Sequence, residues 1–108
     1  MWTIVSKYFL NKNVVAMAIF PFIIVREAKT KNNLRTMNHE TIHLVQQVEL
    51  LWFIFFVWYL AEFTIRLCIT RNASEAYRTI SFEREAYEND DNLDYLKTRK
   101  FYSFIKYL

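Results

Sequence analysis

A chain of 108 residues makes one domain with a single core, short for an enzyme, so any site must be built from few elements. With 54% apolar and 19% aromatic residues, no glycine and one proline, it is neither a disordered segment nor a carrier of a glycine-rich phosphate loop. The net charge of +3 is spread along the sequence without the basic stripe that nucleic acid requires, and the lone Cys68 allows neither an intrachain disulfide nor a Cys-His zinc knuckle.

Taken in order, Trp2 to Leu10 places Ile4, Val5, Tyr8 and Phe9 at helix-like spacing and is read as a short helix, with a strand as the alternative. Lys7 interrupts any signal-peptide core, which leaves a cytoplasmic or membrane-associated chain as the expectation. After the turn cluster Asn11-Lys12-Asn13, Val14 to Val25 is rich in β-branched and aromatic residues and is broken by Pro21. Proline cannot donate to a ladder, so the segment predicts an edge strand or two short strands. Such an edge can pair an extended substrate; a plain core or membrane-contacting strand is the other reading.

Arg26 to Asn33 is a polar connector, and Asn32 or Asn33 can cap a helix that begins near Leu34, where Leu34, Met37, Thr41, Leu44, Val45 and Val48 recur at three-to-four spacing. This helix carries the only two histidines, in Asn38-His39-Glu40-Thr41-Ile42-His43. Residues four apart share a helical face, so His39 and His43 can present two imidazoles to one metal ion, with Glu40 beside them as a base.

From Leu50 to Ala61 the chain is almost purely apolar, and Phe63, Ile65, Leu67 and Ile69 extend the run. Twelve uninterrupted residues rise only about 18 Å as a helix, and reaching a membrane-spanning twenty requires crossing Glu62 and Arg66, so a buried or membrane-surface helix is expected. Glu62 and Arg66, four apart, are expected to pair with each other.

The segment from about Ala73 to Asn89 is helical by propensity, with Asn72 as its cap and Asn89-Asp90-Asp91-Asn92 as its end. Its face Ala76, Ile80, Glu83, Tyr87 puts a carboxylate on an apolar stripe, whereas Glu85 shares the other side with Arg78 and Asn89. A buried Glu83 needs a cation, supplied either by a metal held by the two histidines or by an arginine such as Arg78 or Arg84. Leu93 to Leu108 alternates aromatics with lysines and reads as an amphipathic tail on the core or on a membrane surface.

A His-Glu-x-x-His helix followed some forty residues later by Glu83-Arg84-Glu85-Ala86 resembles the gluzincin-type zinc metallopeptidases, and the run His39 to Gln47, with Gln46 and Gln47, is similar to small members of that group. The resemblance implies His39, His43 and Glu83 as zinc ligands, Glu40 as general base, Ala86 at the small position, and a peptide or protein as substrate. It departs at Tyr87, where many such peptidases have the aspartate that supports a zinc histidine. In such a site the ion makes hydroxide available near neutral pH, and Tyr87, Tyr77 or an arginine could stabilise the oxyanion. The expected fold is mainly α, with three or more packed helices carrying the His-Glu-x-x-His helix and a small N-terminal β element. The rival reading is a small helical membrane-associated interaction protein with a structural or vestigial metal site.

The ligand set also makes a geometric demand. On one straight helix from Leu34 to Thr70, a returning helix would leave Glu83 roughly 25 Å from His43, so the chain must bend sharply near Leu50 to Phe53.

Overall fold

A computed structural model describes residues 2–6 and 14–108. The protein is mainly α with a small N-terminal sheet. Strands β1 (Trp2–Val5), β2 (Ala16–Ile19) and β3 (Phe22–Val25) form a sheet of order β1-β3-β2. β1 runs parallel to β3, with Ile4 opposite Ile24, and β2 runs antiparallel to it, with Ala18 opposite Ile23.

The short helix expected over Trp2 to Leu10 is therefore corrected for its first half, the rest lying outside the described residues. A strand wins because β-branched Ile4 and Val5 find a pairing partner twenty residues away, which local periodicity cannot reveal. Pro21 sits in the turn between two short strands, where its missing N–H removes nothing from the ladder.

A 3₁₀ turn, Ala28–Asn32, leads into α1 (Leu34–Glu49), whose first turn is capped by the Asn33 side chain accepting from the Thr36 N–H at 3.2 Å. Leu44 on α1 packs with Ala18, Ile23 and Val25, joining the sheet to the helix. The required bend is present: α1 stops at Glu49, Leu51 and Trp52 take φ of 53° and 59°, and α2 (Phe53–Thr70) sets off in a new direction. Neither residue favours positive φ, so the corner is held from outside. The Glu49 carboxylate accepts two bonds from Arg99, at 2.7 and 2.9 Å, and one from the Tyr102 N–H at 2.9 Å.

The expected continuous helix from Ala73 to Asn89 is two helices, α3 (Ala73–Thr79) and α4 (Ser81–Asn89), separated by Ile80 at ψ 138°. Glu62 explains how the break is tolerated. Its carboxylate accepts the Ser81 N–H at 3.0 Å and the Ser81 hydroxyl, satisfying the start of α4, instead of pairing with Arg66 as the four-residue spacing suggested. Asn72 caps α3 as expected, accepting from the Glu75 N–H at 3.1 Å.

A second core unites Phe55 of α2, Ile80, Phe82 of α4 and Phe104. Phe104 belongs to a 3₁₀ turn, Ser103–Tyr107, which follows the short α5 (Tyr95–Thr98), so the C-terminal tail packs on the core. Of the two readings of the apolar run, a buried or a membrane-surface helix, α2 does not match the buried one: of its eighteen residues only Phe55 is buried. It is long and apolar enough to cross a membrane, by length and composition.

Arg99 is the buried cation of the tail, bonded to Glu49 and to both oxygens of Glu85. Replacing Arg99 by leucine strands two buried carboxylates and should destabilise the protein by roughly 3–5 kcal/mol. The midpoint of urea unfolding measures it, and a loss below 1 kcal/mol, on the order of an exposed pair, would show the clamp to be unimportant.

Candidate metal centre

With the bend in place, α4 returns alongside α1 and brings Glu83 to both histidines. Glu83 Oε1 lies 3.2 Å from His39 Nε2 and 3.0 Å from His43 Nε2, and the two Nε2 atoms are 3.2 Å apart. All three side chains are buried. Arg84 instead donates to the Tyr107 carbonyl at 2.7 Å, and Arg78 lies over the Tyr87 ring at 4.3 Å, so neither arginine neutralises Glu83.

The protons on the two rings follow from what their other nitrogens face. His39 Nδ1 is 2.9 Å from Asp90 Oδ2, and a carboxylate only accepts, so Nδ1 carries the proton. On His43 the proton is placed by Gln46. The Gln46 amide nitrogen donates to Glu85 Oε1 at 2.9 Å and to the Phe82 carbonyl at 3.2 Å, both acceptors, which fixes the amide orientation. Its oxygen then faces His43 Nδ1 at 2.8 Å, making that nitrogen a donor too. Both Nε2 lone pairs therefore turn inward, onto a carboxylate oxygen. With His43 neutral, three acceptors converge with no donor of their own, and a proton or a metal ion must take the place between them.

Protons compete for that place. Burial opposes charge on His43, but the Glu83 carboxylate beside it outweighs burial and raises its pKa to about 9. Burial would likewise raise Glu83, yet the charge of a protonated His43, the His39 ring beside it and the Tyr59 hydroxyl hold it well below the usual carboxylate range. The donor set fits zinc: tetrahedral ligands about 2.0–2.1 Å from the ion lie roughly 3.3 Å from one another. The observed separations of 3.0 to 3.2 Å are within a few tenths of that.

Glu40, the first residue after His39, is buried with no hydrogen bond among the described residues. Burial pushes its carboxyl up, countered in part by His43 and His39. The cleft onto which these groups open has a volume of about 850 Å³ and is bounded by β2, α1, α2 and α4. Tyr77 and Tyr87 both line it, their hydroxyls 3.2 Å apart, and the Tyr87 ring meets His39 edge-on at 4.5 Å. Burial, then the Glu83 charge, raises the Tyr77 hydroxyl well above its usual range, so it stays a donor at neutral pH.

Sequence reasoning missed three supports. Asp90 supplies the carboxylate contact to His39 that Tyr87 cannot, and is itself held by Arg35 Nε at 2.7 Å. It was reachable by extending the stripe Glu83, Tyr87 by three more residues. Gln46 lies one turn after His43 on the same face, and that spacing was the available signal. Tyr59, which donates to Glu83 Oε2 at 2.7 Å, gave none, because only the packing of α2 brings it there. Glu85 lies off the metal face, as its stripe implied, bonded to Arg99, Tyr95 and Gln46.

Alanine at His39, His43 or Glu83 should each abolish stoichiometric zinc, while Asp90→Ala should weaken it about 10- to 100-fold by freeing the His39 ring, read by competition with a chromophoric chelator. Full zinc retention by Glu83→Ala would remove the third ligand. Zinc must also displace the His43 proton. Below the His43 pKa of about 9, binding should release about one proton at pH 7, and affinity should climb roughly tenfold per pH unit towards 9. Calorimetry in buffers of differing ionisation enthalpy counts that proton, and zero release would refute the assignment. Comparison with protein-family models, curated proteins and solved structures finds no match to this chain.

Proposed function

We propose that the chain is a zinc-dependent peptidase of gluzincin type, hydrolysing peptide bonds with Glu40 as general base. The observation that carries this reading is the convergence of His39 Nε2, His43 Nε2 and Glu83 Oε1 as acceptors without a donor, beside a buried, unbonded Glu40. A structural zinc site is closed by four protein ligands, whereas three on the wall of an open cleft leave a position for chemistry. Zinc held there supplies Lewis acidity, polarising a carbonyl and acidifying water.

The chain's own residues do the rest. Glu40, its basicity raised by burial, accepts the proton of the attacking water and hands it to the leaving amine. Tyr77, a hydroxyl donor on the cleft wall, and Arg78 beside it are placed to stabilise charge on a carbonyl oxygen, with Tyr87 holding Tyr77 from the other side. Asp90 and Gln46 keep the imidazoles oriented.

The edge strand β2 supplies a substrate rail. Its residues Ala16 to Ala18, with Val14 and Val15 just before it, line the cleft, and in the antiparallel register Ala16 and Ala18 direct their backbone groups away from β3. Gln47 already occupies one end of that edge, donating to the Ala18 carbonyl at 2.8 Å and accepting from the Phe20 N–H at 2.6 Å. An extended peptide would pair with the remainder, towards Ala16 and the histidines.

Glu40→Gln keeps shape and hydrogen bonding but not basicity, so zinc content should be unchanged while cleavage of a peptide library falls by about 100- to 10,000-fold. Equal cleavage by both proteins would assign the activity to something else. A zinc-loaded wild type that cleaves nothing would favour the interaction-protein reading.

A further inference from the structure

We infer that α2 lies in the plane of a membrane, its outward face sunk into one leaflet of an anionic phospholipid bilayer. The helix carries charge only at Glu62 and Arg66, one turn apart, and both are half-buried on the side turned to the protein, with Glu62 bonded to Ser81. The outward side has no charged residue over about 27 Å of helix, and Val57, Leu60 and Ile69 are 67%, 64% and 70% exposed. This is the reverse of a helix that meets water.

The polar atoms on that side separate lipid from a protein partner. A protein interface carries hydrogen-bonding groups for its partner to meet. Here the Thr64 hydroxyl is satisfied within its own helix, on the Leu60 carbonyl at 2.9 Å, as Thr41 and Thr79 are on theirs, so beyond the Cys68 thiol this face offers a protein partner no hydrogen-bonding group. The ends fit a lipid boundary too, with half-exposed Trp52 before the helix and Arg71 after it.

Orientation follows from what packs behind. α3, α4 and the C-terminal 3₁₀ turn cover the inner side of α2, and α3 and α4 bring exposed or half-exposed Glu75, Arg78, Arg84 and Glu88 to the same level. A spanning α2 would drag those charges into hydrocarbon, whereas an in-plane helix leaves them in water. The Trp58 ring meets Phe104 at 5.3 Å, which sets the C-terminal turn beside α2, with exposed Phe101 and Ile105 among Lys100 and Lys106. Apolar side chains between lysines match an anionic leaflet. Phe55, Phe56 and Tyr59 of this helix also line the cleft, so the cleft adjoins the helix that meets the lipid. The placement rests on the fold and would survive failure of the peptidase reading.

The test uses the full chain labelled with an environment-sensitive fluorophore, once at the exposed Cys68 and once at Leu60→Cys in a Cys68→Ser background. Vesicles of phosphatidylcholine and phosphatidylglycerol in equal parts should blue-shift both probes, and spin-labelled lipids should report the same shallow depth for both. Substituting Val57→Glu together with Leu60→Glu, both at exposed positions, should lower the vesicle-bound fraction at least about tenfold with helical circular dichroism unchanged. Water-like emission with every vesicle would overturn the proposal. So would a dimer that shields the probes without lipid, or two different depths, the mark of a spanning helix.

Discussion

One buried carboxylate organises this molecule. Glu83 accepts the Tyr59 hydroxyl with one oxygen and faces both histidines with the other, so it ties α4 to α2 and α1 at once. A charge taken out of water must be compensated by its surroundings, and each irregularity of the backbone serves to bring those surroundings together. The corner at Leu51 and Trp52 lets α2 leave so that α4 can return, and the break at Ile80 starts a fresh helix on which Glu83 stands in the first turn.

Around that centre runs a continuous series of buried polar groups. His43 is oriented by Gln46, Gln46 by Glu85, Glu85 by Arg99, and Arg99 also clamps Glu49 at the corner between α1 and α2. The C-terminal tail is thus mechanically connected to the His43 imidazole through three side chains, Arg99, Glu85 and Gln46. Among the described residues every side-chain polar atom wholly shut from solvent has a partner, the Glu40 carboxylate opening instead on the cleft, and this is the condition under which such a network rigidifies a fold. A domain this small achieves a rigid site with polar connections where a larger one would use depth of core.

α2 joins the two halves of the functional argument. One side completes the aromatic core and supplies Tyr59 to Glu83, while the other is uncharged and largely apolar. That division of labour accounts for a composition that, read as an average, fits a buried and a membrane-surface helix equally.

By itself the sequence determined the helical faces. The three-to-four spacing of His39, Glu40 and His43, the stripe that separates Glu83 from Glu85, the Asn72 cap, the pair Asn32 and Asn33 from which the α1 cap is drawn, and the mainly α class all follow from local periodicity and side-chain chemistry. The bend near Leu50 to Phe53 was legible in a different way, as the only path that lets Glu83 meet the histidines, although neither glycine nor proline marks it. Only the tertiary structure decided the pairing of Ile4 and Val5 with β3, the break at Ile80, and the choice of Ser81 over Arg66 for Glu62. It also decided that Asp90 and Tyr59 reach the centre and that α2 faces outward. The reason is common to all of these: each depends on a partner brought from a distant part of the chain, and periodicity records which face a residue occupies but not what that face will meet.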